Sequence, residues 1–208
     1  MEIDLGVAYR SAREEVIRLV TSTHETLKVP ATPLWTVHDV CSHLAGVVED
    51  GQTGNFAGAP GEPWTAAQVE RGRSKSLEQL IEEWSERAPV LEATLSAPGG
   101  EGMWQAVADV ATHLSDLANA CGVPASLPEG FLPWIAPKLL GFFETSVVQA
   151  GLDPIAVSAP DFEIFRGRFG RRTREEVRAY AWSRDPSDCL DSFFIFGVAA
   201  PSLNEKSS

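Results

Sequence analysis

Asp109-Val110-Ala111-Thr112-His113-Leu114-Ser115-Asp116 lies in a segment that reads as one helix, Gly102 to Cys121. Val107, Val110, Ala111, Leu114, Ala118 and Cys121 recur at helical spacing and make one apolar stripe. Asp109 and His113 stand four apart, on one face and one turn from each other, and Asp116 falls on the same side. A carboxylate and an imidazole so spaced are how a helix offers two ligands to one divalent ion. The plainer reading is the wet face of an amphipathic helix. Composition argues against it: Ala106 and Ala120 share the polar side, and no Lys, Arg or Glu lies between Gln105 and Cys121.

Two ligands from one helix seldom suffice, so a third is expected elsewhere. The chain has four histidines, His24, His38, His43 and His113. His43 is the best placed of the other three. It sits at the edge of the stripe Val37, Val40, Cys41, Leu44 and Val48 on a second predicted helix. Thr36 reads as that helix's N-cap with Asp39 in the reciprocal position. Asp39, one turn before His43, is also a candidate to hold the second ring nitrogen. The alternative for His43 is a satisfied boundary histidine. The expectation is a bundle of helices with one metal between His43, Asp109 and His113.

The remaining segments fit a bundle. Asp4 to Lys28 reads as a long helix, with His24 near its end and Pro30 and Pro33 beyond it. Gly51 to Pro63 reads as loop and Trp64 to Arg73 as a short helical turn. Ser76 caps a helix whose stripe is Leu77, Leu80, Ile81, Trp84, Ala88, Leu91 and Leu95, with Glu78, Glu82, Glu83 and Glu86 on its solvated face. A further helix spans roughly Ile135 to Ala150. No strand-like alternation precedes it, so the fold class expected is mainly all-α. Asp153 to Pro160 reads as a linker, followed by an Arg- and Phe-rich stretch, a helical run to Trp182 and an apolar segment, Cys189 to Phe196. The domain reading is a bundle over 1–152, a small C-terminal α or α+β extension over 153–200, and a disordered tail over 201–208.

The 208 residues are 44% hydrophobic and 22% charged, with a net charge of -12. So acidic a chain is poorly suited to a nucleic-acid backbone or an anionic membrane, and neither is expected as a partner. Residues 1–155 hold 9 basic and 21 acidic side chains, whereas residues 156–208 hold 8 of each. Seven arginines between Arg166 and Arg184 suggest a local positive surface. Cys41, Cys121 and Cys189 are far apart and odd in number, which favours reduced thiols in a cytoplasm. The acidic N-terminus lacks a signal-peptide pattern, and the most apolar run, Phe131 to Phe143, is broken by Pro133, Pro137 and Lys138.

Pro33-Leu34-Trp35-Thr36-Val37-His38-Asp39-Val40-Cys41-Ser42-His43-Leu44 resembles the P-x-W-(S/T)-V-x-D-x-x-x-H-L signature of the DinB/YfiT-like superfamily. Within it, the sequence is most similar to the mycothiol-dependent maleylpyruvate isomerase family of actinobacteria. Asp109 to Asp116 matches that family's E-x-x-x-H-x-x-D run, with Asp in place of Glu. Phe165-Arg166, Gly170-Arg171-Arg172-Thr173-Arg174, Trp182 and Asp185-Pro186 resemble the endings of many members. The resemblance implies a DinB-like four-helix bundle with a divalent metal, usually zinc, on His43, Asp109 and His113. It also implies mycothiol as cofactor and a mycothiol-dependent transferase or isomerase acting on a small electrophilic substrate, with a metal-bound thiolate as nucleophile. In an isomerase the thiol adds, the adduct rotates about the former double bond, and the thiol leaves. Asp116 is the candidate catalytic carboxylate. Arg171 and Arg172 are candidates to bind carboxylates of the thiol cofactor or substrate, against a plainer reading as surface charge. The alternatives are a metal-dependent hydrolase on the same bundle and a non-catalytic accessory protein with a degenerate site.

Overall fold

Asp4 caps the first helix, α1 (Leu5–Leu19), by accepting a hydrogen bond from the Val7 N–H. The computed structural model describes residues 2–205 and is 60% helix. α1 stops at Leu19 rather than running to Lys28. Val20 turns to extended backbone, the Thr21 hydroxyl engages the Thr23 and His24 side chains, and the chain continues as a 3-10 turn, Ser22–His24. A short antiparallel hairpin follows, β1 (Lys28–Val29) with β2 (Thr32–Thr36). Sequence alternation misses it because β1 is two residues long and β2 contains Pro33.

The capping signals hold. Thr36 and Asp39 form a reciprocal box that opens α2 (Val37–Thr53), and Ser76 and Gln79 form another that opens α4 (Leu77–Ser96). Between them lies α3 (Glu62–Gly72), a full helix where only a turn was expected. α5 (Trp104–Ala120) ends just before Gly122, whose φ of 72° continues no helix.

Residues Asp4–Pro128 form one compact unit. In it α1 packs on α4 and α5, α2 packs on α4 and α3, and α2 also meets α5. The stripes read from sequence meet in the core: Ala12, Val16, Val40, Leu44, Trp84, Ala88, Val110 and Leu114 are all buried. Burial on this scale, at about 25 cal/mol per Å² of apolar surface, is what holds helices whose isolated propensity is marginal.

A second unit begins at Glu129. It contains α6 (Phe131–Gln149), which packs on α7 (Asp161–Arg168), then α8 (Arg174–Arg178) and an antiparallel pair, β3 (Val157–Ser158) with β4 (Ala181–Trp182). The sequence reading grouped α6 with the bundle, through residue 152. Its apolar face is instead buried with the C-terminal residues, where Ala136, Phe143 and Val147 share a core with Ile155, Ile164, Val177, Leu190 and Phe193. The expected linker carries β3, and the expected helical run to Trp182 ends at Arg178 and continues as β4.

Two further expectations are corrected here. Arg166, Arg168, Arg171 and Arg172 are buried rather than forming a positive surface. Arg172 meets Glu163 side-on through two hydrogen bonds, 2.7 and 2.8 Å, and also meets Glu205. Arg168 donates to the carbonyls of Ser192 and Phe193 and lies over the Phe143 and Phe193 rings. The tail is not disordered over 201–205: the Ser202 hydroxyl donates to Glu176, and the buried Glu205 carboxylate pairs with Arg166 and Arg172. Residues 206–208 lie outside the described residues. No helix among the described residues is long and apolar enough to cross a membrane.

Candidate metal centre

His43 and His113 face each other between α2 and α5, with ring centroids 5.0 Å apart and nearly perpendicular planes. Both are buried, at 3% and 6% exposure, so their side of α5 is not a wet face. Asp109 stands between them. Its Oδ2 is 3.5 Å from His43 Nε2 and its Oδ1 is 3.7 Å from His113 Nε2. One ligand atom from each residue lies within 4.8 Å of the other two. Tetrahedral bonds of about 2.0–2.2 Å set donor atoms about 3.3–3.6 Å apart, so the set is close to what a single ion needs. Two imidazoles and a carboxylate are also a donor set that suits zinc, and three protein ligands leave a fourth position open. The residues present fit a metal. Asp109, one methylene shorter than Glu, still reaches between both rings.

The second nitrogen of the His43 ring is held from behind. His43 Nδ1 is 2.7 Å from Gln68 Oε1, and the Gln68 amide donates at 2.8 Å to Asp50 Oδ2. Asp50 Oδ1 in turn accepts from Arg71 at 2.7 Å and from Asn55 at 2.9 Å. Burial opposes ionisation of Asp50, but the Asn55, Gln68 and Arg71 hydrogen bonds outweigh it and hold its carboxyl below the usual aspartate value. Gln68 is fully buried. Nothing in the sequence reading found it, because α3 was read as a turn. The available signals were Pro63 just inside a helix start and Gln68 beside Val69 on the apolar side of that helix.

Asp39 does not hold His43. Its carboxylate accepts from the Thr36 N–H at 2.8 Å and the Thr36 hydroxyl at 2.9 Å, where the capping box fixes it. Asp116 is fully buried, with Oδ2 3.1 Å from His113 Nδ1. It lies on the far side of the imidazole from Asp109, at ion-pair distance, and His113 Nδ1 makes no hydrogen bond among the described residues. His38 is turned away, its Nε2 2.8 Å from the Lys75 carbonyl, and His24 lies in the 3-10 turn. Arg171 and Arg172 belong to the C-terminal unit and are buried there, Arg172 in its ion pairs and Arg171 with a hydrogen bond to the Phe169 carbonyl.

Two half-buried tryptophans flank the rings. Trp35 lies 5.3 Å from His43 and is stacked 6.0 Å from His113, and Trp64 presents an edge contact to His43 at 6.3 Å. The protein's own thiols are poor nucleophile candidates. Burial, with Cys121 nearby, pushes the Cys41 thiol up to about 12, and burial raises Cys121 and Cys189 as well.

The fold and site define a helical bundle with a two-histidine, one-carboxylate centre between two of its helices. A family model described as the mycothiol maleylpyruvate isomerase N-terminal domain matches residues 9–120, and the chain belongs to that family. No curated protein and no solved structure gave a match.

Proposed function

We propose that the bundle holds one divalent ion, zinc, on His43, Asp109 and His113, and works as a mycothiol-dependent isomerase or transferase on a small electrophile. The convergence of those three ligand atoms within 4.8 Å, inside the span matched by the family model, carries the reading. A bound ion would supply Lewis acidity that favours the deprotonated form of a thiol near neutral pH, so that it can add to an electrophilic carbon. The chain's own residues do the positioning. Gln68 holds the rear nitrogen of His43, Asp116 stands 3.1 Å from the rear nitrogen of His113, and both Nε2 atoms face Asp109. Trp35 and Trp64 cover ring faces and edges, which limits water around the histidines. Burial raises the Cys41, Cys121 and Cys189 thiols, which supports a nucleophilic thiol supplied from outside the chain.

Elemental analysis of the purified protein tests this, alongside His43→Ala and His113→Ala. About one zinc per chain, lost in both variants, and zinc-dependent mycothiol binding by calorimetry are expected. A wild type that neither carries nor takes up zinc overturns the metal reading. A zinc-loaded protein indifferent to mycothiol overturns the thiol reading and favours a hydrolase.

A further inference from the structure

The four groups behind His43 form a chain with a direction. A carboxylate can only accept hydrogen bonds. Asp50 is kept ionised by Arg71 at 2.7 Å and Asn55 at 2.9 Å, so it requires the NH₂ end of the Gln68 amide. An amide so oriented has only its oxygen left for His43, and that oxygen lies 2.7 Å from Nδ1. An acceptor at that distance requires Nδ1 to carry the proton. The neutral ring then has its lone pair on Nε2, the nitrogen 3.5 Å from Asp109.

The packing keeps the amide in place. Gln68 lies on α3 against Gly46 of α2, and a Cβ at position 46 would come within 2.7 Å of both Gln68 Cβ and Cγ. The close approach of α2 and α3 that glycine permits is therefore what brings the amide between Asp50 and His43.

We propose that Asp50, acting through Gln68, selects the Nδ1–H tautomer of His43 and aims its Nε2 lone pair toward Asp109 and His113. Asp50 and Gln68 are positioning residues: Gln68 reaches His43 directly, and Asp50 reaches it through Gln68. The proposal rests on the metal reading for its purpose but not for its test. In Asp50→Asn the replacement amide can present its own NH₂ group to the Gln68 oxygen. The Gln68 amide is then free to turn over and donate to Nδ1, which stabilises the Nε2–H form.

The experiment is two-bond ¹⁵N–¹H correlation spectroscopy on the histidines of the metal-free full chain, at a pH where His43 is neutral, followed by zinc titration. His43 is assigned from the spectrum of His43→Gln. Wild type is expected to show the Nδ1–H pattern. Asp50→Asn and Gln68→Met are each expected to populate Nε2–H and to bind zinc about 10–100-fold more weakly. Asp50→Glu, which restores an acceptor-only group, is expected to recover the wild-type pattern in part. Nε2–H in the wild type, or an unchanged Nδ1–H pattern in folded Asp50→Asn and Gln68→Met, overturns the proposal. If Asp50→Asn does not fold, Gln68→Met decides. A tautomer switch in a chain that takes up no zinc would uphold this inference while the proposed function failed.

Discussion

The two units each bury a cluster of charged and polar side chains, and the clusters differ in donor chemistry. In the C-terminal unit the buried cations are guanidiniums. Arg172 is matched by Glu163 and Glu205, and Arg166 by Glu205. Arg has no lone pair to give a metal, so such a network can only neutralise itself or meet an anion. In the bundle the converging groups are imidazoles around a carboxylate, with the rear nitrogen of His43 engaged by Gln68 and both Nε2 atoms turned inward. Burial alone does not mark a functional site. What separates the two clusters is whether the inward-facing atoms can bind a third body.

The sharpest way to break this comparison is to remove the carboxylate at the centre of the bundle cluster. Asp109→Ala is expected to weaken zinc binding by about a thousandfold, some 4 kcal/mol, and to leave hydrogen exchange in the C-terminal unit unchanged. Asp109→Glu, which keeps the carboxylate on a side chain one methylene longer, is expected to stay within about tenfold of wild type. Equal losses in both variants would mean that carboxylate length, rather than its presence, sets the site.

The converse test acts on the closed network. Glu205→Ala takes from Arg166 and Arg172 a buried carboxylate that both use, and is expected to destabilise the C-terminal unit by about 3 kcal/mol. Hydrogen exchange resolved by unit is the measurement, with zinc content as the control expected not to move. A stable Glu205→Ala protein would show that the tail rests on the network without completing it.

A smaller effect is expected from Gly46→Ala. The added methyl meets Gln68 Cβ and Cγ at 2.7 Å, so α2 and α3 must part, at a cost of about 1–3 kcal/mol. Zinc affinity should fall by about tenfold with the displaced amide. Lost stability with unchanged zinc affinity would separate packing from positioning at this contact.

The three candidate ligands, which the structure brings together, were legible in sequence because they lie on long helices with clear periodicity. Thr36 with Asp39, and Ser76 as a cap, were read correctly for that reason. What stayed hidden depends on tertiary context. Gln68 is a polar residue on a helix that opens after a Gly- and Pro-rich loop, and its role exists only because Gly46 lets α3 approach α2. Asp39 sat at a plausible spacing for His43, but the Thr36 N–H is nearer and fixed by the cap. The arginine run looked like a surface because composition counts charges without pairing them. Its main partner, Glu205, lies more than thirty residues further along, in a stretch that reads as tail.

Acid should separate the two clusters by where each begins to loosen. Arg172 holds the Glu163 carboxyl below the usual glutamate value of 4.5 through its hydrogen bonds and charge, with burial working against it and Tyr180 adding a further hydrogen bond. A carboxyl depressed in the folded state binds fewer protons there than in the unfolded chain. Its contribution to stability is therefore complete above 4.5 and is lost as pH falls from there through the folded value. Asp50 in the bundle is depressed from 3.8, so its contribution is lost over a lower range. Exchange measured from about pH 6 to about pH 3.5 should show the C-terminal unit loosening first. In Glu163→Gln the titrating group is gone, so the onset should be weaker and stability near neutral pH modestly lower, because Glu163 is partly exposed and Arg172 keeps Glu205. An unchanged acid profile in that variant would assign the onset to Glu176 instead, whose carboxyl is also held below the usual glutamate value, and would remove Glu163 from the groups that hold the network closed.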